Sequence, residues 1–317
     1  MHIAAIGATG KVGTYMIPKL VSAGHDVTVV TRGTSKPRQD DPAWDSVKQV
    51  TIDRKAAEAD NTFGKQIADL KPDVVIDMIL FHRKSAGQIV DALKGKIGHF
   101  LFCGTHWVYG HLTEVPNDET APRQPLCDYG KRKAAIEAYL AEQNRANGFP
   151  ASTLHAGHIV CPSDVPINPC GNKDPEVFGR LARGEEVTIP NWGKETLHHV
   201  HADDLAQGFV KAIEHRDAAV GESFHILGPK AVTFRGYAEE VCRWFGKEPN
   251  LKFVPYEQLK DSLEELYAQQ TWDHLAHSPN GSIEKARKLL EYEPKYTGLE
   301  ACREAVLWLV DNGKIRV

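Results

Sequence analysis

This sequence predicts an α/β fold: a doubly wound parallel sheet followed by a smaller C-terminal α+β part. Three observations carry the prediction. Short, almost wholly apolar runs alternate with helical stretches through the first hundred residues, the pattern of parallel strands covered on both faces. The first run, Ile3 to Ile6, breaks into Gly7, Gly10 and Gly13 at GxxGxxG spacing before a helical segment. The 317 residues suffice for such a sheet and a second unit beside it.

The bulk composition is that of an ordinary globular chain, 42% apolar and 25% charged. Its 38 basic and 42 acidic residues leave a net charge of -4, which gives no electrostatic ground for a nucleic-acid or anionic-membrane partner. No apolar run approaches the length of a membrane span. With a strand starting at residue 3, no signal peptide is expected. The six cysteines form no CxxC pair and read as reduced thiols of a cytoplasmic protein.

The elements follow in order. The strand, glycine turn and helix of residues 1 to 23 present free N–H groups and a positive helix end to an anion. Gly7 permits the turn, Gly10 admits a pyrophosphate and Gly13 lets the helix close on the strand, which predicts a dinucleotide site. A P-loop is excluded because Val12, not Ser or Thr, follows Lys11. The next strand, Asp26 to Thr31, is followed by Arg32 where an NAD-type site would carry an acidic residue; Lys36 and Arg38 stand close behind. Cations there favour the 2′-phosphate of NADP over NAD. A third strand, Val47 to Ile52, ends at Asp53. Thr62 to Leu70 reads as a helix, Asp73 to Ile79 as a buried strand, Ser85 to Leu93 as a helix and His99 to Cys103 as the fifth strand. Three prolines mark Glu114 to Leu126 as a loop. Asp128 to Asn144 is a strong helix with Asp128 as its candidate cap.

Beyond Ala151 to Val160, another strand, the pattern changes. Cys161 to Pro175 is a long irregular connection of the kind that usually serves function. Short strands at Val187 to Pro190 and Leu197 to His201 precede a helix from Asp204 to Glu214 with Asp203 or Asp204 at its start. Strand Ser223 to Leu227 and helices Phe234 to Phe245, Ile283 to Leu290 and Leu299 to Asp311 complete the chain. The expected division is a nucleotide-binding unit over 1–160, to which 197–228 returns, and a substrate-binding part over 161–196 and 229–317. The cleft should lie at the carboxyl ends of the strands.

Tyr129 and Lys133 share one helical face, and an ammonium beside a phenol lowers its pKa from ~10 toward neutrality, making it a usable acid or base. Two other YxxxK pairs exist, Tyr15 with Lys19 and Tyr256 with Lys260. Context selects Tyr129 and Lys133: only their helix follows the fifth strand and its hydroxyl-bearing end, Cys103-Gly104-Thr105.

These ordered motifs resemble the extended short-chain dehydrogenases/reductases, also called the NAD-dependent epimerase/dehydratase family. The likeness spans nearly the whole chain. It rests on Gly7-Ala8-Thr9-Gly10-Lys11-Val12-Gly13, Thr105-His106-Trp107-Val108-Tyr109-Gly110, Tyr129-Gly130-Lys131-Arg132-Lys133, Val200-His201-Ala202-Asp203-Asp204-Leu205-Ala206, and the stretch from Ser282 through Thr297. The resemblance implies that Tyr129 moves the proton, Lys133 holds the nicotinamide ribose, and Thr105 bonds the reacting oxygen. It implies cofactor contacts from Gly7, Thr9, Gly10, Lys11, Val12, Gly13, Arg32 and Asp53, and a homodimer through a bundle that includes the Tyr129 helix.

Departures from the family pattern bear on the substrate. His106 and Trp107 replace the Asp-Glu pair of 4,6-dehydratases, which argues against elimination of water. Leu197 stands where many sugar-nucleotide enzymes hold a diphosphate with arginine, and His155 replaces another arginine. A smaller, aromatic or unphosphorylated sugar-like substrate is expected, beside His106, Trp107 and His158, the last near the family's substrate-facing asparagine. His198, His199 and His201 have zinc-like spacing, but no Cys or Glu sits beside them at ligand spacing, so no metal is expected. The reading is an NAD(P)-dependent oxidoreductase or epimerase. Its rivals are a non-catalytic, nucleotide-sensing or RNA-associated relative and a zinc hydrolase.

Overall fold

The computed structural model describes residues 1–317, all of the chain. Strand β1 (His2–Ile6) leads through the glycine turn into helix α1 (Lys11–Ser22), β2 (Asp26–Thr31), β3 (Lys48–Thr51), α2 (Arg54–Ala59), α3 (Phe63–Asp69), β4 (Val74–Asp77), α4 (Arg83–Leu93), β5 (His99–Thr105), α5 (Asp128–Asn147) and β6 (Ala151–Ala156). There follow β7 (His158–Val160), α6 (Glu176–Arg183), β8 (Val187–Pro190), β9 (Thr196–Leu197), β10 (His199–His201), α7 (Ala202–Glu214), α8 (Arg216–Ala219) and β11 (Ser223–Ile226). The chain closes with β12 (Val232–Thr233), α9 (Phe234–Trp244), β13 (Leu251–Val254), α10 (Tyr256–Leu259), α11 (Glu265–His277), α12 (Glu284–Leu290) and α13 (Gly298–Asp311).

Seven strands form one parallel sheet in the order β11-β6-β5-β4-β1-β2-β3. The order reverses at β1 and β4, where the carboxyl ends of neighbouring strands lead away in opposite directions and open a crevice. Two apolar layers make the sheet a central sheet. One holds Val12, Met16 and Ile17 of α1 against Leu205 and Phe209 of α7; the other holds Phe63, Ile89 and Ile136 from α3, α4 and α5. Continuous burial of β4 and β5 on both faces explains their unbroken apolar runs. A third apolar cluster, built on Phe178, Phe234, Tyr237 and Val306, lies off the sheet in the later part of the chain.

Local chemistry sets the element ends with some differences from expectation. Helix α5 is capped by Cys127, whose Sγ accepts the Gly130 N–H at 3.5 Å, and Asp128 is its first helical residue. It runs on to Asn147 and stops at Gly148 in the left-handed region (φ 65). His201, not an aspartate, caps α7: its Nδ1 accepts the Asp203 N–H at 3.0 Å. Helices α6 and α11 were not expected. The buried face of α11 carries Thr271, His274 and His277 beside Leu275, so its period is hidden from an apolar pattern.

Candidate active site

The glycine turn is shaped by space. Gly7 has φ 78 and donates its N–H to Val30 O at 3.0 Å. Gly13 lies so near β1 that a Cβ there would fall 1.8 Å from Ala8 O. Gly10 has ordinary dihedrals (φ -81) and a Cβ would meet only Gly7 O at 3.6 Å. The two glycines therefore separate in experiment. Gly13→Ala is expected to lower stability by about 1–3 kcal/mol, because backbone meets backbone. Gly10→Ala should leave the urea midpoint unchanged while weakening nucleotide binding; a normal binding curve for Gly10→Ala would remove the turn from the site.

Thr105 ends β5, where its Oγ1 accepts the Trp107 N–H at 3.3 Å. Tyr129 and Lys133 enter from the first turns of α5. Lys133 is 2% exposed; its Nζ donates to Leu80 O at 3.0 Å and Cys103 O at 2.8 Å and lies 5.8 Å from the centre of the Tyr129 ring. This corrects the expected depression of the phenol. Burial raises the Tyr129 pKa, opposed by the neighbouring Thr105 hydroxyl, although 37% of the residue faces the cleft. Burial also lowers the Lys133 ammonium. The two carbonyls that hold Lys133 keep its charge below the ring rather than on the hydroxyl, so Tyr129 is a protonated phenol at neutral pH.

The other YxxxK pairs are occupied elsewhere. Tyr15 packs edge-on to His201 at 5.3 Å, and Lys19 pairs with Asp203 at 2.6 Å. The Tyr256 hydroxyl donates to Ala268 O, and Lys260 pairs with Glu257.

A cavity of about 470 Å³ opens beside the triad. Thr105, Tyr129, Trp107, His106 and His158 line it, together with Lys11 of the glycine turn. Trp107 stacks on His277 (4.3 Å, 12°) and meets His158 and His274 edge-on at 5.9 and 5.1 Å. His106 turns part of its ring inward, with Nε2 on Asn117 Oδ1 at 2.9 Å. Both ring nitrogens of His158 and the Trp107 indole nitrogen are buried without a protein partner, a costly state for polar atoms. Desolvation holds His106 at about 3, His198 and His274 at about 4, and His158 well below its usual range, so these imidazoles are neutral at pH 7.

Sequence reasoning missed three polar lining residues, Lys173, Gln270 and His274, and the apolar wall beside them. The irregular connection after β7 signalled the first; nothing local signalled the two on α11. Of the metal-like histidines, His198 lines the cavity, His199 is buried and His201 is held at the start of α7. His198 bonds Gly228 O and the Gly281 N–H, and His201 bonds Glu304 at 2.8 Å and the Asp203 N–H. No group of three or more His, Cys, Asp or Glu is placed to hold a metal ion.

On the nucleotide side, Arg32 is exposed at the end of β2 and makes no hydrogen bond or ion pair, while Asp53 caps α2 through the Ala56 N–H at 3.1 Å. Thr9 and Val12 lie in the turn and first helical residues. Arg38 is held by Ser163 O and Oγ at 3.0 and 2.8 Å. The residues present fit a dinucleotide: an open approach at Gly10, an uncapped helix end at Lys11, Ile79 exposed against Gly7, and Phe81 exposed beside Tyr129.

A sequence model of the NAD dependent epimerase/dehydratase family matches residues 3–226. The chain is 26% identical over 309 residues to the chloroplast stem-loop binding protein of 41 kDa b from Arabidopsis thaliana, covering 96% of this chain and 78% of that protein. It is 23% identical over 320 residues to 2'-dehydrokanamycin reductase from Streptomyces kanamyceticus, covering 99% and 86%. Among solved structures, UDP-glucuronic acid 4-epimerase from Bacillus cereus, in complex with UDP-glucuronic acid and NAD, superposes with a TM-score of 0.70 at 19% identity, over 98% of this chain and 100% of that one.

Proposed function

The chain belongs to the NAD dependent epimerase/dehydratase family, and we propose that within it the protein transfers a hydride at the secondary alcohol or carbonyl carbon of a small, hydroxylated, sugar-like substrate. One observation carries this reading: Thr105, Tyr129 and the glycine-turn Lys11 line a single cavity, with Lys133 fixed beneath it. A bound nicotinamide nucleotide supplies or accepts the hydride. Thr105 orients the substrate oxygen by a hydrogen bond. Tyr129, protonated at neutral pH, hands its proton to that oxygen as a carbonyl is reduced and recovers it in the reverse direction. Lys133, fixed on the Leu80 and Cys103 carbonyls beneath the Tyr129 ring, would hold the nucleotide ribose when the cofactor is bound. His158 and Trp107 line the cavity beside Thr105 and bound the space left to the substrate.

Residues 1–160 with 197–228 form the nucleotide side in this reading, and 161–196 with 229–317 the substrate side, which contributes Lys173, Gln270 and His274 to the cavity. Unpaired Arg32, with Lys36 near it, supports NADP over NAD. Six free thiols support a cytoplasmic, reducing setting, and the family resemblance supports a homodimer through a bundle that includes α5. The net charge of -4 gives no ground for RNA binding, so the enzyme reading is preferred over a nucleic-acid one.

Denaturing the purified protein and identifying the released nucleotide tests the reading. The expected result is little bound nucleotide, followed by NADP(H) uptake in titration, with Arg32→Ala weakening NADP(H) by about tenfold, one charge-assisted contact. Release of NAD(H) at one per chain would overturn the NADP preference and indicate an epimerase that regenerates its own hydride. Failure to take up either nucleotide would overturn the reading itself.

A further inference from the structure

The cavity beside Tyr129 is charged with one sign only. Two ammonium groups line it, Lys11 and Lys173, and no aspartate, glutamate or arginine does. Its histidines add nothing to the balance, since desolvation keeps them neutral. Both lysines lean on one carboxylate behind the wall, Asp164: Lys11 in a close ion pair and Lys173 at 3.3 Å. Two ammonium groups on one carboxylate leave a positive charge without a counter-ion. Lys173 is the more open of the two, its side chain 39% exposed against 25% for Lys11. Its backbone is fixed by Gln270, whose Oε1 accepts the Lys173 N–H at 3.0 Å. Lys11 belongs to the glycine turn and faces the nucleotide phosphates by its place in the chain. Lys173 comes from the connection after β7 and holds Asp164 only at 3.3 Å, with the more exposed side chain of the two lysines.

We infer that the substrate carries a single carboxylate, being a small hydroxy acid in one oxidation state and the keto acid in the other, and that Lys173 is the residue that binds it. The inference rests on the reading of this cavity as the substrate site. The two forms interconvert by the hydride and proton transfers already described and need no other reactant. A lone ammonium suits a monoanion, whereas a diphosphate is gripped better by the planar fork of arginine, which the cavity lacks. Aminated sugars, cationic at pH 7, meet only like charge there.

Calorimetric titration of the full chain, saturated with NADP⁺, tests this with glucuronate, glucose and glucosamine as one matched series and threonate and threitol as a shorter one. The acids should bind about tenfold or more tightly than the neutral partners, and glucosamine most weakly. Lys173→Gln should close the gap between acid and neutral probe, and Lys173→Arg should restore it. Equal affinities, the opposite order, or no binding of either acid overturns the inference; a gap that persists in Lys173→Gln overturns the role of Lys173. Nucleotide uptake is measured in the same samples. Its absence would instead overturn the dehydrogenase reading, so the two failures are distinct.

Discussion

Tyr129→Phe lowers kcat by about 10²–10⁴-fold, the usual worth of a positioned general acid, and leaves nucleotide affinity and the urea midpoint almost unchanged. The ring contacts that survive the substitution explain the second half. Phe81 and Trp107 sit 6.5 and 6.4 Å from the Tyr129 ring centre, and a phenyl group keeps both. Only the hydroxyl beside Thr105 is lost, and more than a third of the residue faces the cleft. Lys133 is a poorer probe. Its Nζ ties Leu80 O to Cys103 O beneath the site, so its removal disturbs fold and chemistry together. Stopped-flow or steady-state turnover with a carbonyl substrate and NADPH reads the outcome. Turnover that survives Tyr129→Phe removes the proton from this residue.

Acid lowers the stability of the protein from about pH 6.5 downward, a loss that begins above the range in which ordinary carboxylates protonate. Buried histidines carry the effect: desolvation lowers His99, His198 and His274 to about 4, His106 and His199 to about 3, and His158 and His225 well below the usual range. A depressed histidine stays neutral in the fold while the unfolded chain takes up a proton near pH 6.5. The unfolded state therefore binds more protons as pH falls, and stability drops through that window. Above pH 7 these groups contribute nothing. At pH 5 each costs on the order of 1–2 kcal/mol, so several together are a large part of a typical domain's stability, about 5–15 kcal/mol. Glu137 acts in a lower range. Burial would raise its carboxyl, but His155 and Arg123 hold it at about 2, so its contribution persists above pH 4.5 and is lost only as pH falls through 2. Urea midpoints at pH 7.5, 6.5 and 5.5 check the prediction. A flat profile would mean that the histidines are charged or solvated in the fold.

Much of this molecule is written locally. A strand buried on both faces must be apolar at successive residues, so β1, β2, β4 and β5 were visible as runs. The glycine turn was visible because only glycine tolerates φ 78 at Gly7 and the backbone contact at Gly13. Tyr129 and Lys133 were visible because residues four apart share a helical face, and because their helix follows β5. The same rule produced Tyr15 with Lys19 and Tyr256 with Lys260, and the chain order of elements alone set those aside. In each case the determining distance is a few residues along one element.

The tertiary structure decided what depends on neighbours from distant parts of the chain. Lys11 and Asp164 meet across 153 positions. Gln270 and His274 reach the cavity from a helix whose buried face is too polar to read as a stripe. The protonation of Tyr129 belongs here too: spacing predicted a phenol lowered by Lys133, whereas the fold desolvates the phenol and anchors the lysine on two carbonyls. Periodicity and turn chemistry act through the covalent chain and survive in the sequence. Burial, and the charge balance it imposes on a cavity, arise only when separate segments exclude water from the same space.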